Sequence, residues 1–156
     1  MDDFKKEVIT RIEGNGTNKK LKDSAGCFML ESIRSKYSYN FSWLGRPIIQ
    51  YPQDIVAIQE IIWRIKPDLI IETGIAHGGS LIFSASMLAL LEMSKDIEAG
   101  KVLGIDIDIR RHNKVEIEKH PLADKIKMIQ GSSIDPGIIE EVRGFSKSYK
   151  NVMALS

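Results

Sequence analysis

From residue 52 onward the apolar positions of this chain switch between two periods. Pro52-Gln-Asp54 opens a segment in which Ile55, Ile58, Ile61, Ile62 and Ile65 fall close to i, i+3, i+4 spacing, the stripe of an amphipathic helix, and Pro67 ends it. Residues 68–72, Asp-Leu-Ile-Ile-Glu, make a short apolar run bounded by proline and glycine, which predicts a buried strand. The alternation then repeats. A helix is predicted over residues 80–93, a second strand over 102–106, a helix over 111–119 that stops near His120-Pro121, and a third strand over 125–130. A helix over 135–143 carries Ile138, Ile139 and Val142, with Pro136 in the first turn, where its missing N–H would be unpaired anyway. A fourth strand runs from Asn151 to Leu155. Strands alternating with helices connect by right-handed crossovers, so the expected fold is α/β with a mostly parallel sheet of about four strands.

The chain before Pro52 lacks this regularity. Residues 1–23 are polar and hold Gly14-Asn-Gly-Thr-Asn18, which predicts a turn or mobile segment after a short helix. Residues 24–51 carry Phe28, Tyr37, Tyr39, Phe41 and Trp43, followed by the turn-like Leu44-Gly-Arg-Pro47. They read equally well as a packing arm or lid and as a substrate-contacting segment. The organisation is therefore an N-terminal polar segment and aromatic arm over 1–50, then an α/β domain over 51–156.

Composition narrows the class of partner. Hydrophobic residues make up 43% of the chain, enough for a core. Lys plus Arg total 22 against 21 Asp plus Glu, and a net charge of +1 offers no long-range attraction to nucleic acid or anionic membrane. A single cysteine, Cys27, precludes an internal disulfide or a cysteine-based metal cluster; it fits a reducing cytoplasm and reads as a small buried hydrophobe. The charged N-terminus does not read as a signal peptide. The longest apolar stretch, residues 81–91, falls short of the ~20 residues a bilayer span needs, so no transmembrane segment is expected and 81–91 reads as a buried helix.

The segment Glu72-Thr-Gly74-Ile-Ala76-His-Gly78-Gly-Ser80 follows a predicted strand and opens a predicted helix, the position at which open α/β sheets bind ligands. A phosphate-binding loop of the Walker type needs lysine where Ser80 stands, which argues against an ATPase or GTPase. A dinucleotide fingerprint needs a middle glycine where Ala76 stands, which weakens a nicotinamide-dependent oxidoreductase without removing it. The pattern Glu-x-Gly-x-x-x-Gly-x-Ser instead resembles the first motif of S-adenosylmethionine-dependent methyltransferases. That cofactor has no phosphates. Glu72 suits its ammonium end, and the loop N–H groups with Ser80 suit its carboxylate. A plain strand-to-helix turn is the alternative for any glycine loop.

Asp106, at the end of the second strand with Ile107 beside it, suits the ribose hydroxyls of an adenosine-containing ligand, whereas Asp108 suits a helix cap. Ser132 and Ser133, after the third strand, suit an adenine edge, and Ser133 or Asp135 also suits a helix cap. His77, His112 and His120 have no metal-ligand spacing and read as surface or loop positions.

Taken together, Phe41-Ser-Trp43-Leu-Gly-Arg-Pro47, Tyr51-Pro-Gln-Asp54, Ile71-Glu-Thr-Gly-Ile-Ala-His-Gly-Gly-Ser80, Gly104-Ile-Asp-Ile-Asp108, His120-Pro121 and Gly131-Ser-Ser133 resemble the cephalosporin hydroxylase family, which takes in rhamnosyl O-methyltransferases. The resemblance runs from about Tyr37 onward. It implies a Rossmann-like methyltransferase fold, S-adenosylmethionine, a divalent metal such as Mg²⁺, and methyl transfer to a hydroxyl of a sugar or small natural product. It leaves open whether the protein is a homo-oligomer. No metal triad or flavin motif supports oxygen chemistry. In the family the metal site begins with an acid after the apolar run of the fourth strand. Here Val152-Met-Ala-Leu155 is such a run and Ser156 takes the acid's place. The resemblance thus implies the front half of the domain without its metal ligands, so no catalytic residue is assigned, and an inactive shortened fragment is the competing expectation.

Overall fold

The computed structural model describes residues 2–156. It divides into two compact units, one ending at Ser38 and the other spanning Tyr39–Ser156.

The first unit contains helices α1 (Asp3–Thr17) and α2 (Lys19–Arg34). The expected turn at Gly14-Asn-Gly is helical. The break is confined to Asn18, whose extended backbone ends α1 and whose side-chain oxygen accepts from Leu21 N at 3.1 Å to cap α2. Two glycines cost a helix only about 1 kcal/mol each, and they do not stop it without a competing cap. Cys27 is exposed, contrary to the sequence expectation. α1 buries no side chain and α2 buries only Ser32, so no core exists there for a small apolar residue to enter.

In the second unit the aromatic arm is a hairpin. β1 (Phe41–Trp43) pairs antiparallel with β2 (Arg46–Ile48) across Leu44-Gly45, both at positive φ (44° and 86°), the backbone that tight hairpin turns demand. The hairpin then packs onto the α/β layers. These run α3 (Pro52–Ile65), β3 (Leu69–Thr73), α4 (Gly79–Met93), β4 (Lys101–Asp106), α5 (Arg111–Glu118), β5 (Ile126–Gln130), α6 (Pro136–Ser146) and β6 (Val152–Leu155). Trp43 meets Phe83 of α4 edge-on at 5.0 Å, and its Nε1 donates to Ser86 Oγ at 3.0 Å.

The four long strands form a parallel sheet in the order β5-β4-β3-β6. Ile70, Val102 and Met153 join the cluster that holds Ile62 of α3, Leu81 and Leu88 of α4 and Ile117 of α5. Leu69, Leu103, Ile105 and Ile129 pack instead with Ile138, Val142 and Phe145 of α6. Both faces of the sheet are covered, which is why its strands read as apolar runs. From β3 the chain steps outward through β4 to β5, then returns to lay β6 on β3's other side. The carboxyl ends of β3 and β6 thus flank a topological switch point, where open α/β sheets hold ligands. Among the described residues no helix is long and apolar enough to cross a membrane.

Candidate functional site

A cavity of about 350 Å³ lies at that switch point, lined by Gln50, Glu72, Gly74, Ala76, Ser80, Ser84 and Ser156 among others. The loop from β3 to α4 forms its rim. Gly74 (φ 89°) begins the loop and donates its N–H to Ile105 O at 2.8 Å. Gly78 and Gly79 are held by opposite neighbours. A Cβ on Gly78 would stand 2.3 Å from Ile117 Cδ1, and one on Gly79 would stand 2.2 Å from the Pro47 carbonyl oxygen. The glycine pair therefore lets α5 and the hairpin close on the start of α4.

The loop's peptide groups are tied on both sides. Ile75 N and Ala76 N donate to Asp106 Oδ2 at 2.7 and 3.4 Å, and Asp108 N donates to Asp106 Oδ1 at 3.0 Å. Burial pushes the Asp106 carboxyl up, but the N–H groups of Asp108, Ile75, Ala76 and Ile107 outweigh it and hold it below the usual carboxylate range. On the carbonyl side, Arg46 donates to His77 O from Nε at 3.1 Å and Nη2 at 2.6 Å. Asn113, buried in α5, donates to Ala76 O at 2.8 Å and accepts from Arg46 at 3.3 Å. These bonds hold Ala76 at φ 47°, a left-handed conformation that is uncommon outside glycine.

Inside the cavity the accounting is incomplete. Glu72 is 5% exposed. Burial pushes its carboxyl up to about 7, and the Ser80 and Ser84 hydroxyls beside it only partly offset that rise. Among the described residues, the buried side-chain N and O atoms without a hydrogen-bond partner are Gln50 Oε1, Glu72 Oε2 and Ser84 Oγ. All three residues line this one cavity. Buried polar groups are nearly always paired, so a cluster of orphans marks a place where another molecule supplies the partners.

Of the residues singled out from sequence, Glu72, Gly74, Ala76 and Ser80 meet at the cavity. Gly78 is buried against α5 and does not line it. Asp106 joins the loop from the neighbouring strand. Ile107 is exposed, and Ser132 and Ser133 follow β5, half-buried and exposed respectively, so these three sit outside the cavity. Asp135, not Ser133, caps α6, its Oδ1 accepting from Gly137 N at 2.8 Å and Ile138 N at 3.2 Å. Asp108 does not cap α5, whose N-cap position is Arg110; it lies 3.8 Å from the Arg110 guanidinium. His77 lies in the loop, and its Nδ1 is 3.3 Å from Asn113 Oδ1. His112 is exposed, and His120 Nε2 meets Leu44 O at 3.1 Å. Sequence reading passed over Gln50, Ser84, Arg46 and Asn113. Arg46 carried a signal as part of the motif over residues 41–47, and Asn113 as a polar residue four positions before Ile117 on the buried stripe of its helix. Among the described residues no group of three or more His, Cys, Asp or Glu side chains could hold a metal ion.

Comparison with known proteins points one way. Residues 35–156 match the family described as rhamnosyl O-methyltransferase/CmcI. A rhamnosyl O-methyltransferase of Mycobacterium leprae (strain TN) is 27% identical over 108 residues, covering 69% of this chain and 43% of that protein. A CmcI apo-structure is similar with a TM-score of 0.55 at 20% identity, covering 76% of this chain and 46% of the other. An Mg-SAM structure of CmcI is similar with a TM-score of 0.50 at 21% identity, covering 65% of this chain and 40% of the other. The structural likeness shows a Rossmann-like α/β fold, and the chain spans less than half the length of these relatives. On the match over residues 35–156, this chain belongs to the rhamnosyl O-methyltransferase/CmcI family.

Proposed function

We propose that this chain is the S-adenosylmethionine-binding part of an O-methyltransferase acting on a hydroxyl of a sugar or small natural product. The observation that carries the reading is a pair of carboxylates at adjacent strand ends in unlike surroundings. Glu72 is buried inside the cavity with one oxygen unpartnered, and Asp106 is half-buried at the end of β4. A ligand with a cationic amino-acid tail and a ribose matches that pair. Glu72 would accept from the tail's ammonium. Ser80 and the free N–H groups of the first turn of α4 would take its carboxylate, helped by the positive end of the helix dipole. Asp106 would accept the ribose hydroxyls with the lone pairs its loop bonds leave over. Ile107 would flank the adenine, with Ser132 and Ser133 at its edge. Gly74, Ala76 and Gly78 would shape the backbone around the tail.

When bound, the cofactor supplies a methyl group made electrophilic by its sulfonium. The chain's own residues bind and orient it, and the loop held by Arg46, Asn113 and Asp106 spares the ordering cost that a mobile loop would incur. The rhamnosyl acceptor in the name of the Mycobacterium leprae relative supports a sugar hydroxyl as the target. The Mg-SAM form of CmcI supports a divalent metal in the relatives. The single cysteine supports a reducing compartment.

Calorimetric titration with S-adenosylhomocysteine, NAD and ATP tests the reading. We expect saturable binding of S-adenosylhomocysteine alone. Binding of NAD in its place would replace the methyltransferase reading with a nicotinamide-dependent one.

A further inference from the structure

The sequence marks out two stretches, residues 41–47 and His120-Pro121, of which the function proposed above uses only Arg46. In the folded chain the two meet. His120 is half-buried in the turn after α5, and the backbone holds it on both sides. Its N–H donates to Ile117 O at 3.1 Å, and its carbonyl accepts from Ala123 N at 2.9 Å. Its ring reaches the hairpin across 76 positions of chain. Nδ1 accepts from Leu122 N at 3.1 Å, and a backbone amide only donates, so that nitrogen carries a lone pair. Nε2 lies 3.1 Å from Leu44 O, and a carbonyl only accepts, so that nitrogen carries the proton. The two contacts together fix one form, the neutral Nε2–H imidazole. Leu44 (φ 44°) and Gly45 (φ 86°) make the turn, and the next residue, Arg46, donates twice to His77 O.

We propose that His120 is a positioning residue for the loop between β3 and α4: its neutral ring latches the hairpin turn at Leu44, and the latched turn aims Arg46 at the loop. The inference rests on the S-adenosylmethionine reading for what the loop holds, and it goes beyond that reading in giving the loop a remote, proton-sensitive support. The contacts converge on the peptide between His77 and Gly78. Arg46 holds its carbonyl, and its N–H donates to Ile75 O at 2.7 Å. A second proton on the ring undoes the latch, because Nδ1–H would then face Leu122 N–H, two donors with no acceptor between them. The groove around the ring offers that charge no carboxylate among the described residues; α4 presents Ala89, Leu90 and Met93 to it, and the hairpin presents Trp43 and Leu44. On the adjoining segments Lys119 pairs with Glu116 at 3.1 Å, Glu118 lies 3.9 Å from Lys114, and Asp124 precedes Lys125, which pairs with Glu92.

The test has two readouts. The first is protection of the Gly78 amide from deuterium exchange in the ligand-free chain, corrected for the intrinsic effect of pH. The second is S-adenosylhomocysteine affinity by titration calorimetry at pH 8, above the value of about 7 for Glu72. At pH 8, His120→Ala should lower Gly78 protection about fivefold and weaken S-adenosylhomocysteine about threefold. His120→Gln, whose amide can donate to Leu44 O in place of Nε2–H, should keep both within about twofold of wild type. Between pH 8 and about pH 5, where a histidine changes charge, wild type should lose about fivefold in Gly78 protection and His120→Gln less than about twofold. His77 stays in place in every variant, so a pH effect that persists in His120→Gln arises elsewhere and overturns the latch. Unchanged Gly78 protection in His120→Ala overturns it as well, as does a loss that His120→Gln fails to restore. Exchange that behaves as expected in a chain that binds no S-adenosylhomocysteine would sink the cofactor reading and leave the latch standing.

Discussion

At the amino end of β3 the polar side chains are paired. Asp68 Oδ2 accepts from Lys150 N and Oδ1 from Asn151 N, both at 2.8 Å, while Asn151 Nδ2 donates to Ile65 O at 2.6 Å and Lys66 pairs with Asp96. At the carboxyl end of the same strand, Glu72 is almost wholly buried with one oxygen unpartnered, and Gln50 and Ser84 share its situation. Two carboxylates, Asp68 just before β3 and Glu72 within it, thus meet opposite fates. Asp68 satisfies backbone N–H groups and so stitches β6 to β3. Glu72, beside the Ser80 and Ser84 hydroxyls, keeps one buried oxygen without a partner at the cavity. The sheet is secured at one end and left chemically open at the other, a division in which stability and binding use different residues.

The contrast can be broken most forcefully at Glu72. Its carboxyl sits near 7 when folded against 4.5 as the ordinary value. A raised folded value means that the stability linked to this group is fully present below pH 4.5 and is lost as pH rises through about 7. The total is about 3 kcal/mol. Glu72→Gln abolishes the titration. Urea melts should therefore show the variant close to wild type at pH 4.5 and more stable by roughly 3 kcal/mol at pH 8. A difference of the same size at both pH values would show that the buried charge is not what wild type tolerates there.

Asp106 stands between the two behaviours, since it ties the loop yet is only half-buried. Asp106→Ala should weaken S-adenosylhomocysteine roughly tenfold to a hundredfold in titration calorimetry. Unchanged affinity would remove Asp106 from the site. Asp68→Ala probes the closed end. Two backbone N–H groups lose their acceptor at a partly exposed position, so the melt should fall by roughly 1–2 kcal/mol while ligand affinity stays within about twofold. A loss of affinity there would mean the two ends are coupled and the division is false. The smallest effect is expected from Arg46→Lys, which replaces a forked donor on His77 O with a point charge. Affinity should fall about threefold, or roughly 0.7 kcal/mol, and the Ala76 and Gly78 amides should exchange faster with deuterium.

Much of the second unit was legible before folding. The isoleucines of α3, the apolar runs of β3 to β6 and the prolines at the starts of α3 and α6 each encode burial or backbone geometry in a few adjacent residues. Glu72, Ser80 and Asp106 were legible for the same reason, since each stands at a strand end or helix start that the local pattern defines. The first unit was less so. Gly14 and Gly16 suggested a turn, yet Asn18 alone breaks the helices, because a cap needs a side-chain acceptor and the glycines have none.

The sequence by itself determined which residues line which face of each element, because periodicity is a local property. Only the tertiary structure decided how the loop is held and what remains unpaired. Arg46 reaches His77 across 31 positions of chain and Asn113 across 67, and no local pattern announces such meetings. That buried oxygens such as Gln50 Oε1 and Glu72 Oε2 are left over depends on what the surrounding space fails to provide, and this is settled only when the hairpin, β3 and α4 come together around one cavity.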